Sequence, residues 1–225
     1  MAIKALVFDF DGLILDTESP TFRAWQELYV EHGCELPVDE WVKNIGHGDS
    51  TRPWDPCEYL EKLLGRAIDR DALQSRRRAR RDALMAEEIV RPGVEAYLEE
   101  AHRRGLGLAV ASSSPHDWVD PHLERLGLIH HFAAIKAYGD APRAKPEPDL
   151  YLAACDALGV APAEAIAFED SPTGLTAAKR AGLFAVAVPN AVTGQLPLDH
   201  ADLRLVSLED RPLADLVAHV ERARA

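Results

Sequence analysis

Four short segments combine acids, hydroxyls and a lysine in a pattern that could do covalent chemistry. Asp9 and Asp11 stand two apart ahead of Gly12, Ser112, Ser113 and Ser114 follow one another, Lys145 opens Lys145-Pro146-Glu147-Pro148, and Glu169 adjoins Asp170. Three or four carboxylates gathered at one place cannot all ionise without a cation or raised pKa values. A hard, oxygen-seeking cation such as Mg²⁺ meets that need and keeps coordination positions for a substrate phosphate. It also screens a carboxylate nucleophile from the anionic phosphoryl group under attack. Lysine and hydroxyl or backbone donors hold the remaining phosphoryl oxygens. A second carboxylate two residues after the nucleophile can protonate the leaving group and later activate water. Together these parts describe phosphoryl transfer through an aspartyl-phosphate.

The elements around these segments explain how they meet. Ile3–Phe8 is an apolar run cut off by Asp9, and similar runs recur at Leu106–Ala111, Ala133–Ala137, Ala165–Phe168 and Phe184–Val188, with a weaker one at Leu203–Val206. Short apolar runs bounded by turn signals read as strands buried on both faces. Helical patterns lie between them: Pro92–Arg104 ends at Gly105, Pro148–Leu158 ends at Gly159, and Ser171-Pro172 opens a third that Gly182 closes. Alternating strands and helices of this length predict βαβ units on a parallel sheet with right-handed crossovers. Ligands of such sheets bind beyond the carboxyl ends of the strands, which is where the first, second and fourth strands deliver their acids and serines. Pro121 predicts a kink or two short helices after the second strand.

About ninety residues separate the first strand from the second, far more than one crossover helix needs. From about Thr17 to Ile89 the pattern is helical throughout, with stripes at Phe22, Trp25, Leu28 and Tyr29, at Tyr59, Leu60, Leu63 and Leu64, and at Leu73, Leu84 and Met85. Gly65 and a turn at Gly46–Gly48 punctuate it. The block at 17–89 is therefore expected to be a helical domain inserted into a core made of 1–16 and 90–225. Chain passages near Leu15–Thr17 and Val90–Gly93 would be its hinges.

Composition narrows the partners. The chain has 225 residues, 47% of them hydrophobic, enough for a sizeable core. With 25 Lys and Arg against 37 Asp and Glu, the net charge is −12, the wrong sign for coating nucleic-acid phosphates. Cys34, Cys57 and Cys155 are scattered and odd in number, which suits a reducing compartment. The opening apolar run stops at Asp9, too early for a signal peptide, and no stretch reaches the roughly 20 apolar residues that span a bilayer. A cytoplasmic location with neither nucleic acid nor membrane as partner is expected, and a monomer is the default for a chain of this size.

In these four segments the chain resembles the haloacid dehalogenase superfamily, and most of all its phosphatase and β-phosphoglucomutase-like branch. The matching stretches are Asp9-Phe-Asp-Gly-Leu-Ile-Leu-Asp-Thr-Glu18, Val110-Ala-Ser-Ser-Ser114, Lys145-Pro-Glu-Pro148 and Phe168-Glu-Asp-Ser-Pro-Thr-Gly174, in the family's order. The resemblance implies a doubly wound core of strand order 3-2-1-4-5 with a helical cap after strand one. It implies Asp9 as nucleophile, Asp11 as general acid and base, and Ser112 and Lys145 as phosphate ligands, with the amides of Ser113 and Ser114 as extra donors. Mg²⁺ would sit on Asp9, the Asp11 backbone carbonyl and Asp170, with Glu169 beside it directly or through water. Relatives that break carbon–halogen bonds lack the acid at the Asp11 position, so phosphoryl chemistry is favoured.

The β-phosphoglucomutase pattern has a histidine where this chain has Thr21, ahead of Phe22-Arg23-Ala24-Trp25. It also has a Gly-x-x-Arg turn where this chain reads Gly46-His47-Gly48-Asp49, with Arg52 displaced. These departures favour a phosphatase of a small phosphorylated metabolite. A mutase and a catalytically silent Mg²⁺- and phosphate-binding protein are the alternatives.

Several features have plainer readings. Ser114 and Ser171 are expected as helix N-caps. Arg76-Arg77-Arg78-Ala79-Arg80-Arg81 winds around most of a helix circumference among flanking acids, so the five arginines cannot share one face and the run reads as an exposed, ion-paired helix. His130-His131 reads as structural. Trp41 and Trp54 either line substrate or fill the cap's interior.

Overall fold

The computed structural model describes residues 2–44 and 54–224. Six parallel strands form one sheet of order β3-β2-β1-β4-β5-β6: β1 (Ala5–Phe8), β2 (Gly107–Pro115), β3 (Ala134–Tyr138), β4 (Ala165–Glu169), β5 (Phe184–Ala187) and β6 (Leu203–Arg204). The expected order is present and the weak run at Leu203 adds the sixth strand. β1 lies at the centre, Val7 paired with Ala109 on one side and with Ala167 on the other.

Side chains alternate across the sheet because strand residues point to opposite faces. Leu6 and Phe8 join one core with Val110, Phe168 and Val186 under α5 (Val94–Arg104), α6 (His116–Arg125) and α9 (Leu213–Ala223). Ala5 and Val7 join the other, where small residues such as Ala109, Ala167 and Ala185 let α7 (Asp149–Leu158) and α8 (Pro172–Ala181) approach closely. Both faces are covered, which is why the strands read as continuous apolar runs. Phe8 stacks on Phe168 at 4.8 Å between ring centres, tying β1 to β4 beneath the site.

Between β1 and β2 come α1 (Glu18–Glu31), α2 (Val38–Trp41), α3 (Pro56–Leu64) and α4 (Arg70–Glu87). They bury a third cluster around Trp25, Leu28, Tyr29, Trp41, Leu60 and Leu73. Of the stripe at Tyr59–Leu64 only Leu60 is buried, and Met85 packs on the sheet side of the molecule. The block is not helical throughout: Cys34–Pro37 lies outside any helix, and Gly65, at φ +64°, ends α3 in the left-handed conformation that glycine adopts without strain. The Gly46–Asp49 turn and Arg52 lie outside the described residues.

The two passages between these helices and the sheet run side by side. Leu15 bridges Val90 in antiparallel fashion, and the Arg91 amide donates to the Ile14 carbonyl at 2.9 Å. Pro121 does not divide α6, which runs from His116 to Arg125 with the proline inside it.

Candidate active site

Beyond the carboxyl ends of β1, β2 and β4 lies a cleft of about 960 Å³ between the sheet and the inserted helices. Asp9, Asp11, Ser112, Lys145 and Asp170 line its floor, while Trp25, Trp41, Gln74, Arg77 and Arg81 line its roof. The serines were expected beyond the second strand, but β2 continues through them, its register with β3 shifting between Ala111 and Pro115. That irregularity turns the serine segment toward β1.

Asp9, Glu169 and Asp170 are buried, and one oxygen of each lies within 4.8 Å of the others. Lys145, delivered by the segment before α7, places its ammonium 2.5 Å from Asp9 Oδ1 and 2.5 Å from Glu169 Oε1. Burial, and then the Glu169 charge, push the Asp9 carboxyl well above the usual carboxylate range against the pull of Lys145. Burial, Asp9 and Glu169 do the same to Asp170. Burial alone would lower the Lys145 ammonium, but Asp9 and Glu169 outweigh it and hold it above its ordinary value. One lysine cannot balance three buried carboxylates, and the donors still available are all oxygens. That donor set fits a hard divalent cation such as Mg²⁺.

Glu169 is fully buried and its donors are already assigned. Oε1 accepts from Lys145 and from the Tyr151 hydroxyl at 2.8 Å, and Oε2 accepts from the Ser171 hydroxyl at 3.1 Å and amide at 3.3 Å. Its carboxylate lies under the first turn of α8, where a Cβ on Gly174 would meet it at 1.8 Å. In this arrangement Glu169 acts first as the clamp that positions Lys145.

Asp170 accepts from Asn190 Nδ2 at 3.0 Å. It also sits against Gly12, whose φ of +80° and missing side chain are both required, since a Cβ there would lie 2.0 Å from Asp170 Oδ2. Arg91 binds the carbonyls of Gly12, Val188 and Pro189, joining the second passage to this corner.

Asp11 turns to the other side. Its Oδ2 accepts from the Ser114 hydroxyl at 2.6 Å and the Ser112 hydroxyl at 3.3 Å, and its Oδ1 accepts from Trp118 Nε1 at 2.8 Å. Ser114 therefore does not cap α6, whose N-cap is Pro115 without a side-chain bond, and its amide is spent on Ser112 Oγ at 3.0 Å. Ser113 lines the cleft with an exposed side chain. Ser171 does cap α8, accepting from the Gly174 amide.

The arginine run divides by face. Arg76 and Arg80 reach across to Glu31 and Glu27 of α1, as a solvated, paired face should. Arg77 and Arg81, one turn apart, instead face the cleft, Arg77 over Trp25 at 6.0 Å and Arg81 over Trp118 at 5.3 Å. Trp41 also lines the cleft, while Trp54 packs against Trp41 and Tyr59 in the third cluster. His131 contacts His102 and His130 well away from the cleft.

Sequence reasoning missed Tyr151, Asn190 and Trp118. Tyr151 and Trp118 sit in helices and read as packing residues. Asn190 follows β5, and inspecting that strand end as the others were inspected would have found it.

The family model described as haloacid dehalogenase-like hydrolase matches residues 3–182. The Bacillus subtilis protein named "Putative phosphatase YhcW" is 48% identical over 97% of this chain and 98% of its own. The "Validoxylamine A 7'-phosphate phosphatase" of Streptomyces hygroscopicus subsp. limoneus is 30% identical over 92% and 95%. Among solved structures, a "putative beta-phosphoglucomutase from Thermotoga maritima" superposes with a TM-score of 0.75 at 26% identity, covering 95% of this chain and 98% of that one. Among the described residues no helix is long and apolar enough to cross a membrane. The chain belongs to the haloacid dehalogenase-like hydrolases.

Proposed function

We propose that this hydrolase is a Mg²⁺-dependent phosphatase that cleaves the phosphomonoester of a small, sugar phosphate-like metabolite through an aspartyl-phosphate on Asp9. The observation that carries the reading is the meeting of Asp9, Lys145 and Asp170 with Asp11 and Ser112 on the floor of one cleft, Glu169 buried behind Lys145. Relatives named as phosphatases support it.

The Asp9 carboxylate attacks phosphorus in line with the ester oxygen. Lys145 and the Ser112 hydroxyl, with the Ser113 amide, hold the phosphoryl oxygens as charge redistributes. Asp11 gives its proton to the departing ester oxygen, so the alcohol leaves neutral and Asp11 becomes a carboxylate. It then takes a proton from water, whose oxygen attacks the aspartyl-phosphate, releasing phosphate and restoring Asp9. Asp9, Asp170 and the Asp11 backbone carbonyl would hold Mg²⁺, with Glu169 acting through the lysine or a water. When bound, the ion screens Asp9 from the substrate's negative charge.

The inserted helices at 17–89 act as a cap over the core at 1–16 and 90–225, excluding bulk water and contributing substrate contacts. A single chain contains the whole site, and a monomer suffices. Among the described residues the roof offers Thr21, whose hydroxyl donates to the Thr17 carbonyl at 2.7 Å, and no histidine to steer the phosphoryl group to a sugar rather than to water.

Phosphate release across a panel of phosphorylated metabolites, with Mg²⁺ and with a chelator, tests the proposal. Mg²⁺-dependent release supports it and ranks the substrates. Isomerisation of β-glucose 1-phosphate without phosphate release replaces it with the mutase reading, and neither activity would mark a silent binding protein.

A further inference from the structure

Asp11 has both carboxyl oxygens occupied, by donors of different kinds. Oδ2 faces two serine hydroxyls, from Ser114 at 2.6 Å and Ser112 at 3.3 Å. Oδ1 faces the indole N–H of Trp118 at 2.8 Å. A serine hydroxyl can rotate from donating to accepting, whereas an indole N–H only donates. A carboxyl oxygen that carries the acid proton therefore finds a partner beside the serines and none beside the indole.

The indole itself is fixed from two elements. His122, one turn further along α6, meets the ring edge-on at 4.5 Å between ring centres. Arg81 of α4 reaches in from the inserted helices and lays its guanidinium over the ring at 5.3 Å. A cation held over an indole face is a recognised attraction, strongest when partly desolvated, as between two half-buried residues. Arg81 also keeps its own carboxylate partner, bonding Asp82 Oδ1 at 2.9 and 2.6 Å.

We infer that Trp118 is a positioning residue for Asp11: its indole N–H holds Oδ1 as a permanent acceptor, so Oδ2 is the oxygen that delivers the proton to the leaving group. The inference rests on the reading of Asp11 as general acid. In the step concerned, the Asp9–phosphorus bond forms and the phosphorus–ester oxygen bond breaks with its electron pair. The proton then passes from Asp11 Oδ2 to that oxygen. The two serine hydroxyls turn back to donate to the carboxylate left behind, and Trp118 does not change partner. Through Arg81, the position of the inserted helices bears on the same ring.

The test compares the full chain with Trp118→Phe, which keeps an aromatic ring for Arg81 and removes the N–H. Two esters are used: an alkyl phosphate that the native protein hydrolyses, and nitrophenyl phosphate, whose leaving group needs no proton. The readout is kcat/KM, which covers steps up to departure of the leaving group. A positioned general acid contributes about 10²- to 10⁴-fold, so the expected loss is at least tenfold on the alkyl ester and less than twofold on the aryl ester. The retained aryl rate reports that the variant is folded. Trp118→His, which returns a ring N–H, recovers part of the alkyl rate. An equal loss on both esters, no loss on either, or no recovery with histidine overturns the inference while leaving the phosphatase standing. A native protein that hydrolyses neither ester removes the phosphatase reading and this inference with it.

Discussion

Replacing Gly174 with alanine separates local helix propensity from the demands of the site. Gly174 is the third residue of α8, and alanine is worth up to about 1 kcal/mol over glycine inside a helix. By propensity alone the substitution stabilises. The structure argues the opposite: the new Cβ would lie 1.8 Å from Glu169 Oε1 and 2.1 Å from Oε2, where ordinary contact begins near 3.4 Å. The carboxylate must retreat by about 1.6 Å, and it has nowhere to go, being fully buried and bonded to Lys145, Tyr151 and Ser171. Overpacking of a tight interior costs about 1–3 kcal/mol, and a weakened bond to a buried charge costs about as much again. The net expectation is a loss of about 3 kcal/mol, together with at least a tenfold loss of kcat as Lys145 leaves its place. Urea denaturation at unchanged slope measures the first and phosphate release the second. Gly194→Ala is the control, since the nearest atom to its added Cβ is 4.0 Å away, and it should fall within about 0.5 kcal/mol of the native protein. A Gly174→Ala protein as stable and as active as the native one would refute the placement of Glu169.

Other expectations follow from the same geometry. Asp9 and Asp170 have folded pKa values raised above the ordinary 3.8, so their contribution to stability is fully present below about pH 4 and is lost as pH rises through the raised values. Metal-free protein should therefore lose stability on this account toward neutral pH, and the gain in Tm from Mg²⁺ should be larger at pH 8 than at pH 5. At about 2–4 °C per kcal/mol for a chain of 225 residues the difference is within reach of a thermal scan, and an equal gain at both pH values would contradict it. In the cluster of the inserted helices the Tyr29 hydroxyl donates to the Pro56 carbonyl at 2.5 Å and joins α1 to α3. Tyr29→Phe removes that bond while the Pro56 carbonyl, at the first position of α3, keeps its place in the helix ladder, so the expected cost is about 0.5–1.5 kcal/mol in urea denaturation, and no measurable cost would show that the bond carries no net stability.

The sheet was legible because its strands are buried on both faces and so appear as uninterrupted apolar runs. Its strand order came from family resemblance. The floor of the site was legible for a related reason: Asp9, Ser112 and Glu169 end or interrupt apolar segments, where a charged or hydroxyl side chain has no packing purpose. Residues that reach the site from within helices left no such signal. Tyr151 lies on the buried stripe of α7 with Leu150, Ala154 and Cys155, and its hydroxyl on Glu169 is invisible to periodicity. Ser114 looked like a cap because Ser-Pro is a frequent helix start. The strand carries it one step further, so its hydroxyl meets Asp11 instead of an α6 amide. The arginine run reads as an exposed, ion-paired helix whose arginines cannot share one face, and helical spacing places two of them, Arg77 and Arg81, with the buried Leu73 and Leu84 on the side that lines the cleft.

The account stands most directly on Asp9 as the atom-bearing nucleophile. Acid-quenching the Mg²⁺-loaded protein during turnover of a phosphate-labelled substrate, followed by peptide mapping, locates any covalent phosphate. The account predicts label on Asp9, lost together with phosphate release in Asp9→Asn. Turnover that proceeds with no label on Asp9, or that persists in Asp9→Asn, would contradict it.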